Sequence, residues 1–337
     1  MTALYCGHDG QERAFLDALS GGRTPHAWLL AGPQGLGKAH FAKRAATFLV
    51  ADGDQRAAAG ATTLDVAPDE QAARLIASGA HPEYIWLKRE VAEHKRLKAG
   101  AEPREEDFAR NITVAQARWL LTRLRVRPAI SRWRAIIIDS VDDLERGAAN
   151  ALLKTLEEPP HNTMFFLISH RPGRLLPTIR SRCHVLRFAA LDDAAMMRVL
   201  AQALPDVPAA EQQALVRVGQ GAPGRALGFA QLQLAEMDKL LRHIVAHGDA
   251  DNARRLELTK QVGAASERQR FVAMLSLAEA IAAEETRASP VAALGRCIAA
   301  RDAIVDLASI AVQQSENPTS ICFGVAGALA TMRAPQR

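Results

Sequence analysis

Gly32-Pro33-Gln34-Gly35-Leu36-Gly37-Lys38-Ala39 decides how this chain reads, because an apolar run, residues 26–31, enters it and a helical pattern, residues 39–50, leaves it. The spacing from Gly32 to Gly37-Lys38 fits G-x-x-x-x-G-K, a phosphate-binding loop between strand and helix. Its glycines let backbone N–H groups approach phosphate, and its lysine reaches the β and γ oxygens. The last position does not fit. A nucleotide-hydrolysing site wants Ser or Thr there, whose hydroxyl holds the magnesium that neutralises phosphate charge. Ala39 has no oxygen to offer.

Outward from the loop, Phe41, Ala45, Phe48 and Leu49 form one apolar face of the following helix, and Ala14, Phe15, Ala18 and Leu19 one face of a helix over residues 8–20. Continuous apolar runs at 135–139 and 164–169 predict strands buried on both faces of a parallel sheet. Residues 84–87 and 185–188 predict two more strands. The first long run ends in Asp139, placed to support magnesium and its water. Ser140 follows, where a water-orienting carboxylate is wanted; Asp142 and Asp143 are close but displaced by two or three residues. The second run ends in Ser169-His170, at the end of a strand where ligands gather, so these two either sense a γ-phosphate or are simply hydrogen-bonded.

Residues 51–69 read as a surface connection, 70–78 as a short helix, and the densely charged 88–110 as a solvated excursion. Thr113 is the expected N-cap of a helix carrying Val114, Ala117, Leu120, Leu121 and Leu124, stopped by Pro128. Arg118, Arg123, Arg125 and Arg127 crowd its C-terminal half; they complement the helix dipole, and contact with nucleic acid or an acidic partner is the alternative. A helix over 144–158 ends in Glu157-Glu158, where negative charge opposes the dipole. Those acids are either plainly solvated or answer to a group outside the helix. A helical turn follows at 177–183, where Arg180 and Arg182 cluster with Arg171, Arg174 and Arg187. Beyond residue 190 no strand is expected: helices are predicted at 191–203, 209–219, 226–245, 253–263, 267–285 and about 288–332, with breaks near Gly248, Pro290 and Pro318.

The 337 residues suffice for two or three domains, and a net charge of +5 is too small to argue for nucleic acid alone. Cys6, Cys183, Cys297 and Cys322 form no C-x-x-C pair, which speaks against a zinc knuckle or redox dithiol. No stretch reads as a signal peptide or membrane span, so a cytoplasmic location is expected.

Several blocks occur in a fixed order: Gly7-His8, His26-Ala27, the phosphate loop, Asp139, the run Asn150 to Pro160 with its Leu156-Glu157-Glu158-Pro159-Pro160 ending, Ser181-Arg182-Cys183, and Gly224-Arg225-Ala226. Together they resemble the clamp-loader branch of the AAA+ family, most specifically the delta prime family of bacterial DNA polymerase III, over roughly residues 5 to 230. The resemblance implies an α/β fold: a P-loop AAA+ core with a five-stranded parallel sheet (1–189), a helical lid (190–235) and an all-helical collar for oligomerisation (236–337). It implies that Arg182 is an arginine finger acting in trans on a neighbouring subunit. It also implies a degenerate nucleotide site of Gly32, Gly35, Gly37, Lys38, Asp139 and Arg225, the last contacting phosphate in its own subunit. ATP or ADP would bind with weakened magnesium, and with no cysteine in 51–110 no metal site is expected. The partners implied are the gamma/tau ATPase and delta subunits of a pentameric ring, and through it the sliding clamp and primed DNA.

Two functions follow. Ala39 and Ser140 favour a non-catalytic ring member without intrinsic ATPase. Lys38 and Asp139 keep open a working ATPase of gamma/tau type. A small-molecule kinase is disfavoured because the helical second half supplies no evident acceptor site.

Overall fold

A computed structural model describes residues 7–22, 24–92, 107–262, 268–313 and 318–333. The chain forms two compact units, Met1–Ala190 and Leu191–Arg337. The first runs α1 (Asp9–Ser20), β1 (Ala27–Ala31), α2 (Lys38–Val50), α3 (Gly53–Ala58), α4 (Gln71–Ala77), β2 (Tyr84–Lys88), α5 (Val114–Leu124), β3 (Arg134–Asp139), α6 (Arg146–Glu157), β4 (Thr163–Ser169), α7 (Pro177–Arg180) and β5 (His184–Arg187).

The five strands form one parallel sheet in the order β2-β3-β4-β1-β5, as the alternation of strands and helices predicts. Every residue of β1 and β4 is buried, which is why these stretches read as continuous apolar runs. Chain order reverses at β1, whose neighbours are β4 and β5, and ligands of such sheets lie outside the strand C-termini at this switch. Ala31 pairs with Ser169 and Asp139 with Ile168, so β1, β3 and β4 end level with one another.

One face of the sheet is sealed by aromatics: the Phe15 ring of α1 stands edge-on to Trp28 of β1 at 5.3 Å and to Phe41 of α2 at 6.2 Å. On the other face Leu120 and Leu124 of α5 and Leu152 and Leu156 of α6 pack over Leu29, Ile136 and Leu167. Each such leucine contributes about 1.5–3 kcal/mol through burial. The Thr113 cap is present with a reciprocal partner: Gln116 N donates to Thr113 Oγ1 at 3.3 Å, and Thr113 N donates to Gln116 Oε1 at 2.9 Å.

Two expectations need correction here. Residues 51–69 contain α3, which folds back against α2 because Gly53 has no Cβ; one would lie 2.5 Å from the Phe48 carbonyl oxygen. The helix expected from Leu144 starts at Arg146, because Val141–Asp143 form a tight turn and the Glu145 side chain turns aside to accept from Val114 N at 3.1 Å. Of the charged excursion, residues 93–106 lie outside the described residues.

The second unit contains α8 (Asp193–Ala203), α9 (Ala209–Gly219), α10 (Pro223–Gly228), α11 (Ala235–His247), α12 (Ala253–Val262), α13 (Arg268–Ala288), α14 (Val291–Gln313) and α15 (Pro318–Ala330), and among the described residues no strand. These helices share one apolar core that runs from Met196 through Leu241, Met274 and Ile304 to Val325. The single helix predicted over 226–245 is two, α10 and α11. The cause is remote in sequence: the nearly buried Glu211 of α9 accepts from Leu234 N at 2.6 Å and Ala235 N at 2.7 Å, capping α11 from outside. Gln233 takes the left-handed conformation, φ 53°, to make the turn. No helix among the described residues is long and apolar enough to cross a membrane.

Candidate functional site

The phosphate loop leaves the C-terminal end of β1 and enters α2 at Lys38, the context its motif requires. Gly35 and Gly37 take φ of 84° and 81°, where a side chain would be strained, and this turns the loop tightly enough to present its amides. Lys38 is nearly buried. Its Nζ donates to Gly32 O at 2.6 Å and to Pro33 O, so the ammonium bridges two carbonyls of its own loop. The loop is also tied from outside, since His8 Nε2 lies 2.8 Å from Leu36 O and the His8 ring stands edge-on to Phe188 at 4.8 Å. Burial holds the His8 imidazole below its ordinary value, consistent with a neutral tether. Gly7-His8 therefore supports the loop, a role that the motif alone did not reveal.

Burial pushes the Lys38 amine down to about 8, against the opposing pull of Asp139 and Asp142. A lysine whose folded value lies below its unfolded value of 10.5 destabilises the fold while both states are protonated. That loss is recovered as pH rises from about 8 to 10.5. Relative to Lys38→Met, the wild-type chain is expected to gain about 3 kcal/mol over this range in urea unfolding, at roughly 1.4 kcal/mol per pH unit. A pH-independent difference would show that the amine titrates normally.

Asp139, at the end of β3, is raised above the usual carboxylate range by burial and by Asp143, with Lys38 opposing. The carboxylates after it are both engaged. Asp142 accepts from Ser169 Oγ at 2.9 Å and from His170 N at 2.5 Å, closing the end of β4. Asp143 accepts from Ser140 Oγ at 3.1 Å and pairs with Arg89 at 3.3 Å. His170 Nδ1 is buried without a hydrogen-bond partner among the described residues, and burial lowers its pKa. A cleft of about 740 Å³ opens here beside Pro33 and Gln34, with Arg89, Arg146, Arg171 and Arg174 on its walls. Glycine cradle and lysine suit a phosphate. Magnesium finds fewer donors, because Ala39 supplies none and Asp142 and Asp143 are held by protein groups.

Arg182 follows α7. Its Nη1 donates to Thr178 O at 2.8 Å and Ser181 Oγ at 3.3 Å, and its Nη2 pairs with Glu157 at the C-terminus of α6. The acid set against the helix dipole therefore answers to an arginine. Of the arginines clustered in sequence, Arg171 and Arg174 line the cleft, whereas Arg182 does not. Arg225, in the second unit, donates to Ser276 Oγ of α13 at 2.7 Å.

A family model described as DNA polymerase III, delta subunit, matches residues 7–192. DNA polymerase III subunit delta' of Pseudomonas aeruginosa is 35% identical over 236 residues, 67% of this chain and 65% of that protein. DNA polymerase III subunit tau of Escherichia coli is 31% identical over 68% of this chain and 33% of its own length. The chain thus spans less than two thirds of these relatives. Among solved structures, a DNA polymerase III gamma subunit-related protein of Thermotoga maritima aligns with a TM-score of 0.43 at 14% identity, over 95% of this chain and 100% of that one. With more than half of its length matched by the family model, the chain belongs to the DNA polymerase III delta subunit family and is a homologue of the delta' subunit.

Proposed function

We propose that this chain is a non-catalytic subunit of a DNA polymerase III clamp loader, in the cytoplasm, whose Arg182 acts in trans on the ATP site of a neighbouring gamma/tau-type subunit so that a sliding clamp is loaded on primed DNA. The observation that carries the reading is the state of its own loop. Ala39 offers magnesium no ligand, and Ser140 carries no carboxylate and bonds to Asp143. Two separate parts of phosphoryl transfer, metal binding and water orientation, are missing together. Arg182 supports the other half, being only about one third exposed and held at the surface by Thr178, Ser181 and Glu157. In this reading residues 190–235 serve as lid and 236–337 as collar within a pentameric ring that includes delta, and Arg225 remains the candidate phosphate contact of a degenerate site that takes ATP or ADP weakly.

The second reading, an active gamma/tau-type ATPase, is favoured by Lys38 and Asp139 and by the tau relative. A steady-state assay separates the two. The isolated full chain with ATP, magnesium and primed DNA is expected to show no turnover above background. Sustained hydrolysis that disappears in Lys38→Ala would establish the active reading instead.

A further inference from the structure

The outward face of α5 is the surface whose chemistry the proposed function leaves unused. Residues 108–138 contain seven arginines and no acidic residue. Arg132 pairs with Asp54 at 3.0 Å, and Arg134 is buried, donating to Leu124 O and Val126 O. The remaining five, Arg110, Arg118, Arg123, Arg125 and Arg127, are exposed, and none has an acidic partner among the described residues. Complementing one helix dipole accounts for one or two such charges in the last turn, not for five.

Among them stands Trp119, 53% exposed. The buried side of α5 is Ala117, Leu120 and Leu124. The opposite stripe reads Ala115, Arg118, Trp119, Thr122 and Arg123 at the i, i+3, i+4 spacing that places them together. The Arg123 guanidinium lies 6.0 Å from the centre of the Trp119 ring, a cation–π arrangement that orients the indole and adds positive charge beside it. Exposing an indole costs solvation, and a ring open to solvent beside the Arg123 guanidinium, with Arg118 on the same stripe, is a stacking platform inside a positive field.

From this charge and this ring we propose that the outward face of α5 and the loop after it bind an unpaired nucleic-acid strand, with a base stacked on Trp119 and phosphates on the surrounding arginines. An arginine-rich surface favours a polyanion, and the exposed aromatic selects one with accessible base faces over a duplex, whose bases are already stacked. The surface uses neither Lys38 nor Arg182, so its test stands apart from that of the trans arginine.

The test is a titration of the full chain with a 16-residue oligo(dT), read by intrinsic tryptophan fluorescence. Trp28 is wholly buried and Trp86 and Trp133 are half-buried, which leaves Trp119 as the accessible reporter. Quenching is expected. Trp119→Ala should weaken binding about tenfold, within the range for one stacked base, while Trp119→Phe retains most of the affinity. Arg125→Ala with Arg127→Ala should reduce the slope of log affinity against log salt by about 1.4, or about 0.7 for each phosphate that is no longer neutralised. These side chains lie on the surface, so circular dichroism and thermal midpoints should stay at wild-type values. Equal affinity for a duplex of the same length, or unchanged affinity in Trp119→Ala, would overturn the stacking site. Competition by poly-glutamate as effective as by oligo(dT) would make the surface one for an acidic protein instead.

Discussion

Arg182→Ala is expected to lower ATP hydrolysis at the neighbouring site of a reconstituted clamp loader by about a thousandfold or more, the scale at which arginine fingers act. The physical source is the charge that develops on the equatorial oxygens of the transferred phosphoryl group, which a planar guanidinium meets with two fixed hydrogen bonds. Arg182→Lys should not restore the rate, since an ammonium offers a point charge and no fork. The chain itself should fold normally. The pair that Arg182 makes with Glu157 is partly solvated on both sides, and such pairs contribute at most about 1 kcal/mol. The measurement is DNA-dependent hydrolysis and clamp loading by complexes carrying each variant, with ring assembly checked by size. Wild-type loading by the Arg182→Ala complex would remove this residue from the mechanism.

Gly32→Ala is expected to lower stability by about 3–5 kcal/mol, combining backbone strain with overpacking. Gly32 has a φ of 156°, and a Cβ would lie 2.3 Å from the carbonyl oxygen of Phe188 and 3.2 Å from its Cβ. Phe188 cannot withdraw, because its ring is wedged against Phe41 at 5.4 Å and against His8 at 4.8 Å, and its amide donates to Ala31 O at 2.8 Å. Gly37→Ala is the control. It has the strained φ of 81° but nothing within 4 Å of the added carbon, so it should cost only the strain, about 1–2 kcal/mol. Urea unfolding of the two variants separates steric clash from backbone strain, and equal losses would show that the approach of Phe188 is not the constraint.

Both results bear on what the amino-acid order alone makes legible. The sheet was legible because β1, β3 and β4 are buried on both faces and so appear as unbroken apolar runs, and α5 because its capping box lies within four residues. The break between α10 and α11 was not legible, since its cause, the Glu211 carboxylate, lies more than twenty residues upstream. The phosphate loop announced itself by glycine spacing, yet its support by His8 and Phe188 depends on contacts between segments that are distant in sequence. Glu157 was half legible. An acid at the wrong end of a helix raised the question of a partner, but plain solvation explained it as well, and only the fold brings Arg182 to it. Asp142 and Asp143 stood near the right position, and the register of the β3 and β4 ends decides that they serve Ser169, His170, Ser140 and Arg89.

The contact between Arg182 and Glu157 has a bearing on assembly. A guanidinium already holding one anion does not simply reach for another; it exchanges them. A terminal phosphate carries more charge and more acceptor oxygens than a carboxylate, and can displace it; a nucleoside diphosphate, lacking that group at the same place, competes less well. If Arg182 acts in trans as proposed, Glu157 sets a threshold, and the arginine would read the neighbour's nucleotide selectively instead of being a permanently offered charge.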